Sequence, residues 1–127
     1  NLKKDYGALY FFIILFRYLH IPSESDREKV LSLIKYCLDK SWPNFMKFKP
    51  QAILTSVEIN KDFFILNLPI WLNEEHSPYW ACRYAALMGV ERLSMNEKNF
   101  IFEEMSAKNF KDSHRFIRMK TRSIFSC

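Results

Sequence analysis

Four side chains of this sequence are of the types that bind zinc: His76, Cys82, Glu104 and His114. A protein zinc ion takes three or four ligands in a defined geometry. The spacing of these four residues matches no compact zinc motif. Histidines that are hydrogen-bonded or that face solvent are the competing interpretation, and we favour it. We therefore predict no metal ion, and no cofactor of any other kind.

Cys82, paired with a histidine, is also a candidate nucleophile. That chemistry needs a setting that stabilises the thiolate and a donor for the oxyanion. Cys82 instead belongs to an alanine-rich apolar pattern, where a cysteine is more often an inert core residue. The three cysteines (Cys37, Cys82 and Cys127) are odd in number and show no close pairing, which indicates free thiols in a reducing, cytoplasmic compartment. We predict no catalytic residue and no enzymatic activity.

Four aromatic side chains cluster in sequence around the start of a predicted helix. They are Trp71, Tyr79, Trp80 and Tyr84. Core packing is one interpretation of the cluster. Because Tyr and Trp also carry a polar tip, the four could instead line a pocket for a small apolar ligand. Trp42, Phe45 and Phe48, in a connector with two prolines, are expected to cover the core edge or to form the mouth of such a pocket.

The net charge of +5 lies entirely in residues 107–127, which carry six basic residues and one acid. The six are Lys108, Lys111, Arg115, Arg118, Lys120 and Arg122. On a strand, residues two apart share a face, so Arg118, Lys120 and Arg122 would form a basic stripe. One interpretation is a solvated face, and the other is a surface for an anionic partner such as nucleic acid, phospholipid or an acidic protein. Because this stripe has no exposed aromatics between its three basic residues for base stacking, a nucleic acid would be held through its backbone alone.

Two helices are predicted in the first third of the chain. Residues 6–19 are apolar on every side until Arg17, so this helix must be buried, in the core or against another chain. Its uninterrupted apolar run, 8–16, is shorter than the roughly 20 residues of a membrane helix. Ser25 and Glu28 have the spacing of a capping box, which predicts the start of an amphipathic helix that ends near Lys40.

Two β-hairpins separated by a helix are predicted for the rest. Residues 52–59 and 63–72 alternate as strands, with Pro69 at an edge or exit. Ser77 and Pro78 open a helix that extends to Leu93, and 96–99 is predicted as a turn. Strands at 100–108 and 113–121 follow. The fold class is α+β: two N-terminal helices, then hairpin, helix and hairpin, with the four strands in one antiparallel sheet and the helices on one face.

The order of elements over residues 52–119 resembles the vinyl-4-reductase domain family, which is similar in fold to the transport protein particle (TRAPP) subunits. In that family a Ser-Pro and an aromatic, small-residue-rich helix precede a strand that ends in Glu-Glu, followed by Cys-x-Ala-x-Gly-Asp-x-x-Cys-x-Phe. The matching positions are Ser77-Pro78, the helix 79–93, Glu103-Glu104, Ala107, Asp112 and Phe116.

This sequence departs from the family pattern at three positions. The first cysteine is replaced by Met105 or Ser106, the glycine by Asn109 and the second cysteine by His114. Some family members bind zinc through these cysteines, so the replacements imply that this chain does not.

The resemblance implies a non-enzymatic module that senses a small ligand or scaffolds a larger assembly. We therefore expect one domain, residues 1–127, that joins a protein partner or forms a homodimer through its apolar helices. Because the sequence begins at Asn1 rather than at a Met, it is interpreted as a fragment or a processed chain. The alternative function is a nucleic-acid-associated protein that uses the basic C-terminal hairpin.

Overall fold

A computed structural model describes residues 5–39 and 46–125, and within those ranges it contains helices and no strand. The helices are α1 (Tyr6–Leu15), α2 (Glu24–Asp39), α3 (Phe48–Ile59), α4 (Lys61–Trp71), α5 (Trp80–Val90), α6 (Met95–Glu104), a 3-10 helix (Ala107–Lys111) and α7 (Arg115–Phe125). The chain divides into two compact units, Asn1–Ile65 (unit 1) and Leu66–Cys127 (unit 2). Whether the whole chain behaves as one domain stays a prediction.

The predicted α+β class and its four-stranded sheet are wrong, because all four predicted strands lie in or across helices. Residues 52–59 belong to α3. Ile53, Thr55, Val57 and Ile59 do alternate, but Ala52 before them and Ser56 between them are buried as well. A helix that is enclosed around most of its circumference gives no clear 3.6-residue period, and a short apolar segment of this kind is easily taken for a strand.

The next segment is also a helix. Asn60, expected in a hairpin turn, accepts a hydrogen bond at its side-chain Oδ1 from the Phe63 N–H at 3.0 Å, as a helix-capping residue does. Pro69 lies inside α4 and not at a strand edge.

The predicted turn at 96–99 and the second hairpin are replaced by α6 and α7. Ser94 and Glu97 form a true capping box: Ser94 Oγ accepts from the Glu97 N–H at 3.2 Å, and Glu97 Oε1 accepts from the Ser94 N–H at 2.9 Å. In α7, Ile117 and Thr121 are buried four residues apart while Met119 between them is 49% exposed, which is the pattern of a helix and not of a strand. The predicted basic C-terminal strand is therefore wrong too.

The three predicted helices are present as α1, α2 and α5, with different ends. The first turn of α2 is capped by Ser23, whose hydroxyl accepts from the Asp26 N–H at 3.3 Å, and not by Ser25. The helix α5 begins after Tyr79 rather than after Ser77.

Unit 1 encloses an apolar core formed by α1, α2 and α3. Its fully buried members are Leu9, Ile13, Ile34, Cys37, Phe48 and Ala52. Burying a large apolar side chain of this kind contributes about 1.5–3 kcal/mol relative to leaving it exposed. The Thr55 hydroxyl donates to the Ile13 carbonyl at 2.6 Å, which ties α3 to α1 and satisfies a buried polar group.

Phe48, expected at the core edge, is a buried member of this core. Trp42, Phe45 and Cys127 lie outside the described residues. Among the helices of residues 5–39 and 46–125, none combines the length and the apolar composition required to cross a bilayer.

Candidate functional site

Four aromatic rings meet in unit 2, where α5 and the start of α7 come together. The Trp80 indole and the His114 imidazole are stacked, with their centroids 4.3 Å apart and their planes 12° from parallel. The Phe116 ring lies 5.6 Å from Trp80 and 5.4 Å from His114. Tyr84 meets Trp80 edge to face at 6.0 Å. We call Trp80, Tyr84, His114 and Phe116 the aromatic cluster.

One edge of the aromatic cluster faces solvent. Phe116 is 49% exposed, and the other three rings are partly exposed. The Lys120 ammonium lies 5.7 Å from the centroid of the Tyr84 ring and forms an ion pair with Glu91. Offset and edge-to-face ring contacts are favourable, and an exposed ring edge or face can extend the stack to a flat conjugated ligand.

Two of the four predicted ligand-binding residues, Trp80 and Tyr84, belong to this cluster. Trp71 is a buried residue of α4, and Tyr79 is the partly exposed residue that precedes α5. Sequence reasoning did not assign His114 and Phe116 to a ligand surface, because it placed them on a strand. The helical pattern of α7 was the signal that could have done so.

A buried ion pair lies beside the cluster. The Arg83 guanidinium donates from Nε and Nη2 to the two carboxylate oxygens of Asp112, both at 2.8 Å. Each residue is 2% exposed. Such a bidentate pair fixes the guanidinium plane as well as its position. Arg83 Nη1 also donates to the Ser77 carbonyl at 2.8 Å, which holds the segment that leads into α5.

The same network fixes the start of α7. Asp112 Oδ1 accepts from the His114 N–H at 2.9 Å, and Arg118 donates to the Asp112 carbonyl at 2.7 Å. Glu74 accepts from the Ser113 N–H at 2.7 Å and from its hydroxyl at 2.6 Å. These bonds fix the backbone at His114 and so hold its imidazole in position to stack on Trp80.

The pKa of Glu74 is held below its ordinary value by the hydrogen bond from the Ser113 hydroxyl, by that from the Ser113 backbone N–H and by the charge of Arg83. Slight burial opposes the shift. The Arg83 guanidinium lies 4.0 Å from the Glu74 carboxylate. Glu74 is therefore ionised at neutral pH and acts as a fixed acceptor for the start of α7.

Three clefts in the described residues are small or have polar side chains in their linings. A cleft of about 150 Å³ in unit 2 is smaller than the usual ligand pocket of about 300–1,000 Å³. Its lining residues are Leu72, Asn73, Glu74, Glu75, Lys108 and Asp112. Two clefts of about 240 and 310 Å³ in unit 1 include polar side chains such as Arg27 in their linings. The exposed aromatic cluster is therefore the better candidate for binding a flat apolar ligand.

The predicted basic residues are distributed differently on a helix than on a strand. Arg115, Arg118 and Arg122 are spaced i, i+3 and i+7 on α7 and share one face. Lys120 lies on another side, against Glu91 and Tyr84. The stripe of Arg118, Lys120 and Arg122 is thus wrong. Lys108 and Lys111 are exposed residues of the 3-10 helix.

The four zinc-type residues are not assembled into a site. Within the described residues, no three His, Cys, Asp or Glu side chains lie together as a metal ion would require. His114 is occupied in the stack, and its Nδ1 accepts from the Phe116 N–H at 3.2 Å. Cys82 is buried. Cys37 is buried too, and its burial raises the pKa of its thiol to about 11, which keeps that thiol protonated.

Comparison with known proteins gives one informative similarity. Neither a protein-family model nor a solved structure matches the chain. Over 122 residues, 94% of the chain, it is 24% identical to the bilin biosynthesis protein CpeY of Synechococcus sp. (strain WH8020), and it spans 28% of the length of that relative. The resemblance to vinyl-4-reductase and TRAPP-like domains is wrong, because no family model supports it and the expected sheet is replaced by helices.

Proposed function

We propose that this chain is a helical module with a ligand-binding or scaffolding role in bilin biosynthesis. The observation that carries the proposal is the similarity to CpeY along 94% of the chain. Because the chain spans 28% of that relative, the module supplies one part of what such a protein does.

The aromatic cluster of unit 2 is a surface of the kind that suits a bilin. A bilin is an open-chain tetrapyrrole with flat conjugated rings, and aromatic side chains bind such rings by stacking. The aromatic cluster presents Phe116 and the stacked His114–Trp80 pair at the surface. These contacts support a ligand-binding role over a purely scaffolding one.

Binding by this module is reversible in our proposal. Covalent attachment of a bilin to a cysteine would need an accessible thiolate. Cys37 and Cys82 are buried, and the raised pKa of Cys37 keeps that thiol neutral. A biosynthesis protein can also be an enzyme, which competes with the non-enzymatic role expected from the sequence. The two thiols that the structure describes favour reversible binding of a bilin over its covalent attachment to this chain's own cysteines.

Nucleic-acid association, the alternative expected from the sequence, stays a prediction. That prediction rests on a stripe of basic residues along a strand, but the segment that carries them is the helix α7. Homodimerisation through the apolar helices also stays a prediction. Light scattering over a range of protein concentrations tests it, and a monomer at the highest concentration would contradict it.

A bilin titration tests the proposed function. The purified chain is added to biliverdin and the visible absorption spectrum is followed. We expect the long-wavelength band to shift and sharpen, to saturate at one bilin per chain, and to revert when the chain is unfolded in urea. A spectrum unchanged at chain concentrations up to about 100 µM, equivalent to a binding free energy weaker than about 5.5 kcal/mol, would rule out the ligand-binding role. A scaffolding role would then remain.

A further inference from the structure

The outward side of α7 carries cations and apolar side chains together. Ile117 and Thr121 are buried, so the opposite side of the helix faces solvent. Arg115, Arg118, Met119 and Arg122 lie on that side, at spacings of three and four residues. We call these four residues the arginine face.

Two guanidinium groups of the arginine face are available to a ligand. Arg118 is engaged, because its Nη1 donates to the carbonyls of Asp112 at 2.7 Å and Ser113 at 3.1 Å. Arg115 and Arg122 are exposed, and within the described residues neither forms an ion pair. The two residues are seven positions apart, which is about 10 Å along the helix axis.

The arginine face adjoins the aromatic cluster. Phe116 follows Arg115 in the first turn of α7 and also contacts Trp80 and His114. Met119 is 49% exposed, and its thioether is a soft surface suited to aromatic contact. One continuous side of unit 2 therefore offers flat rings, a polarisable side chain and two separated cations.

We propose that this side of α7 is a bilin site, with pyrrole rings on Phe116 and the His114–Trp80 stack and the two propionate carboxylates paired with Arg115 and Arg122. The inference rests on the proposed function and deepens it. Its basis is complementarity of charge and shape: a guanidinium binds a carboxylate through two parallel hydrogen bonds, and the rings supply stacking. A nucleic acid would also meet the cations here, so the test must separate the two ligands.

The first arm of the test removes the cations. Biliverdin is titrated into the wild type and into the double variant Arg115→Ala/Arg122→Ala. The matched control is Lys29→Ala/Lys35→Ala, which removes the same charge from α2 in unit 1. We expect the dissociation constant to rise at least tenfold for the arginine variant and less than twofold for the control. Biliverdin dimethyl ester, which lacks the carboxylate charges, should bind both the wild type and the arginine variant with equal affinity.

The second arm of the test removes the aromatic ring of Phe116. Phe116→Ala should weaken biliverdin binding at least fivefold and reduce the spectral shift. Phe100→Ala is the matched control, because Phe100 is 52% exposed on α6 of the same unit. Both are surface positions, and circular dichroism confirms that each variant remains folded before its affinity is used.

The outcomes separate the site from the function. Wild type that binds biliverdin while all variants bind equally well would overturn the site and leave the proposed function standing. Wild type that does not bind would remove the ligand-binding role and the site together. An oligonucleotide that displaces biliverdin as effectively as unlabelled bilin does would identify a general anion surface and would also overturn the site.

Discussion

Units 1 and 2 differ in what they bury. Every charged residue that is buried in the described chain lies in unit 2, as the Arg83–Asp112 pair. In unit 1 the buried polar groups are two hydroxyls, Thr55 and Ser56, and both donate to backbone carbonyls. The rest of its buried set is apolar.

This difference in buried groups affects how side chains and helix ends are oriented more than it affects the stability of either unit. Apolar contacts are non-directional, so the core of unit 1 holds helices together without fixing any one polar group at a surface. The ion pair of unit 2 is directional and connects α5, the loop before it and the start of α7. A network of this kind positions His114, and we therefore place the candidate site in unit 2.

The largest expected effect follows from Asp112→Ala. The change leaves the Arg83 guanidinium buried without its counter-charge, which costs about 3–5 kcal/mol. Urea unfolding should show that loss. The double variant Arg83→Met/Asp112→Leu should lose less than Asp112→Ala alone, since no buried charge is left unpaired. A loss below about 1 kcal/mol for Asp112→Ala would mean that the pair does not organise unit 2.

A cavity made in the core of unit 1 should lower the free energy of unfolding by a comparable amount, for a different reason. Ile34→Ala removes three carbon atoms from the fully buried core of α1, α2 and α3, and we expect a loss of about 2–5 kcal/mol. Ile34→Val, the smaller truncation, should cost about 0.5–1.5 kcal/mol. Both are measured by thermal or urea unfolding. Equal effects of the two substitutions would contradict a closely packed core at this position.

A smaller effect distinguishes the observed helix caps from the predicted one. Ser94→Ala removes a capping-box acceptor of α6 and should cost about 1 kcal/mol. Ser25→Ala, at the cap predicted from the sequence, should change stability by less than about 0.5 kcal/mol, because Ser23 caps α2. If Ser25→Ala proved the more destabilising of the two, the assigned start of α2 would be wrong.

The smallest expected effect is a change in stability that depends on pH. The pKa of Glu74 is lowered in the folded state, so its contribution is present above the ordinary pKa of about 4.3 and is lost as pH falls through the lowered value. Glu74→Gln should therefore be slightly less stable than the wild type at pH 7, and the difference in stability should shrink as the pH falls through the lowered pKa of Glu74. Ser113→Ala should diminish this pH dependence, since Ser113 makes the main contribution to the shift. A difference between Glu74→Gln and wild type that stays constant throughout an acid titration of stability would contradict this role of Glu74.

Some of this fold was accessible to sequence reasoning and some was not. The amphipathic period identified α2, and the apolar and alanine-rich patterns identified α1 and α5. In α3 and α4 apolar residues occupy several faces, which hides the helical period and leaves a pattern that predicts strands. For α6 a direct signal was present, since Ser94 and Glu97 have capping-box spacing.

The site was partly accessible in the same way. Trp80 and Tyr84, four residues apart on a predicted helix, were expected to be near each other. Arg83 and Asp112 are 29 residues apart, and no local pattern in a single sequence pairs them. Phe116 and His114 join the cluster only once 115–125 is recognised as a helix that starts beside α5.

The most direct test of the account is a nuclear magnetic resonance titration of the isotope-labelled chain with biliverdin. We expect the Trp80 indole N–H signal and the amide signals of His114, Phe116 and Arg122 to shift together and to saturate at one bilin per chain. The amide signals of unit 1 core residues such as Leu9 and Ile34 should remain in place. Shifts confined to unit 1, or no shifts at saturating biliverdin, would contradict it.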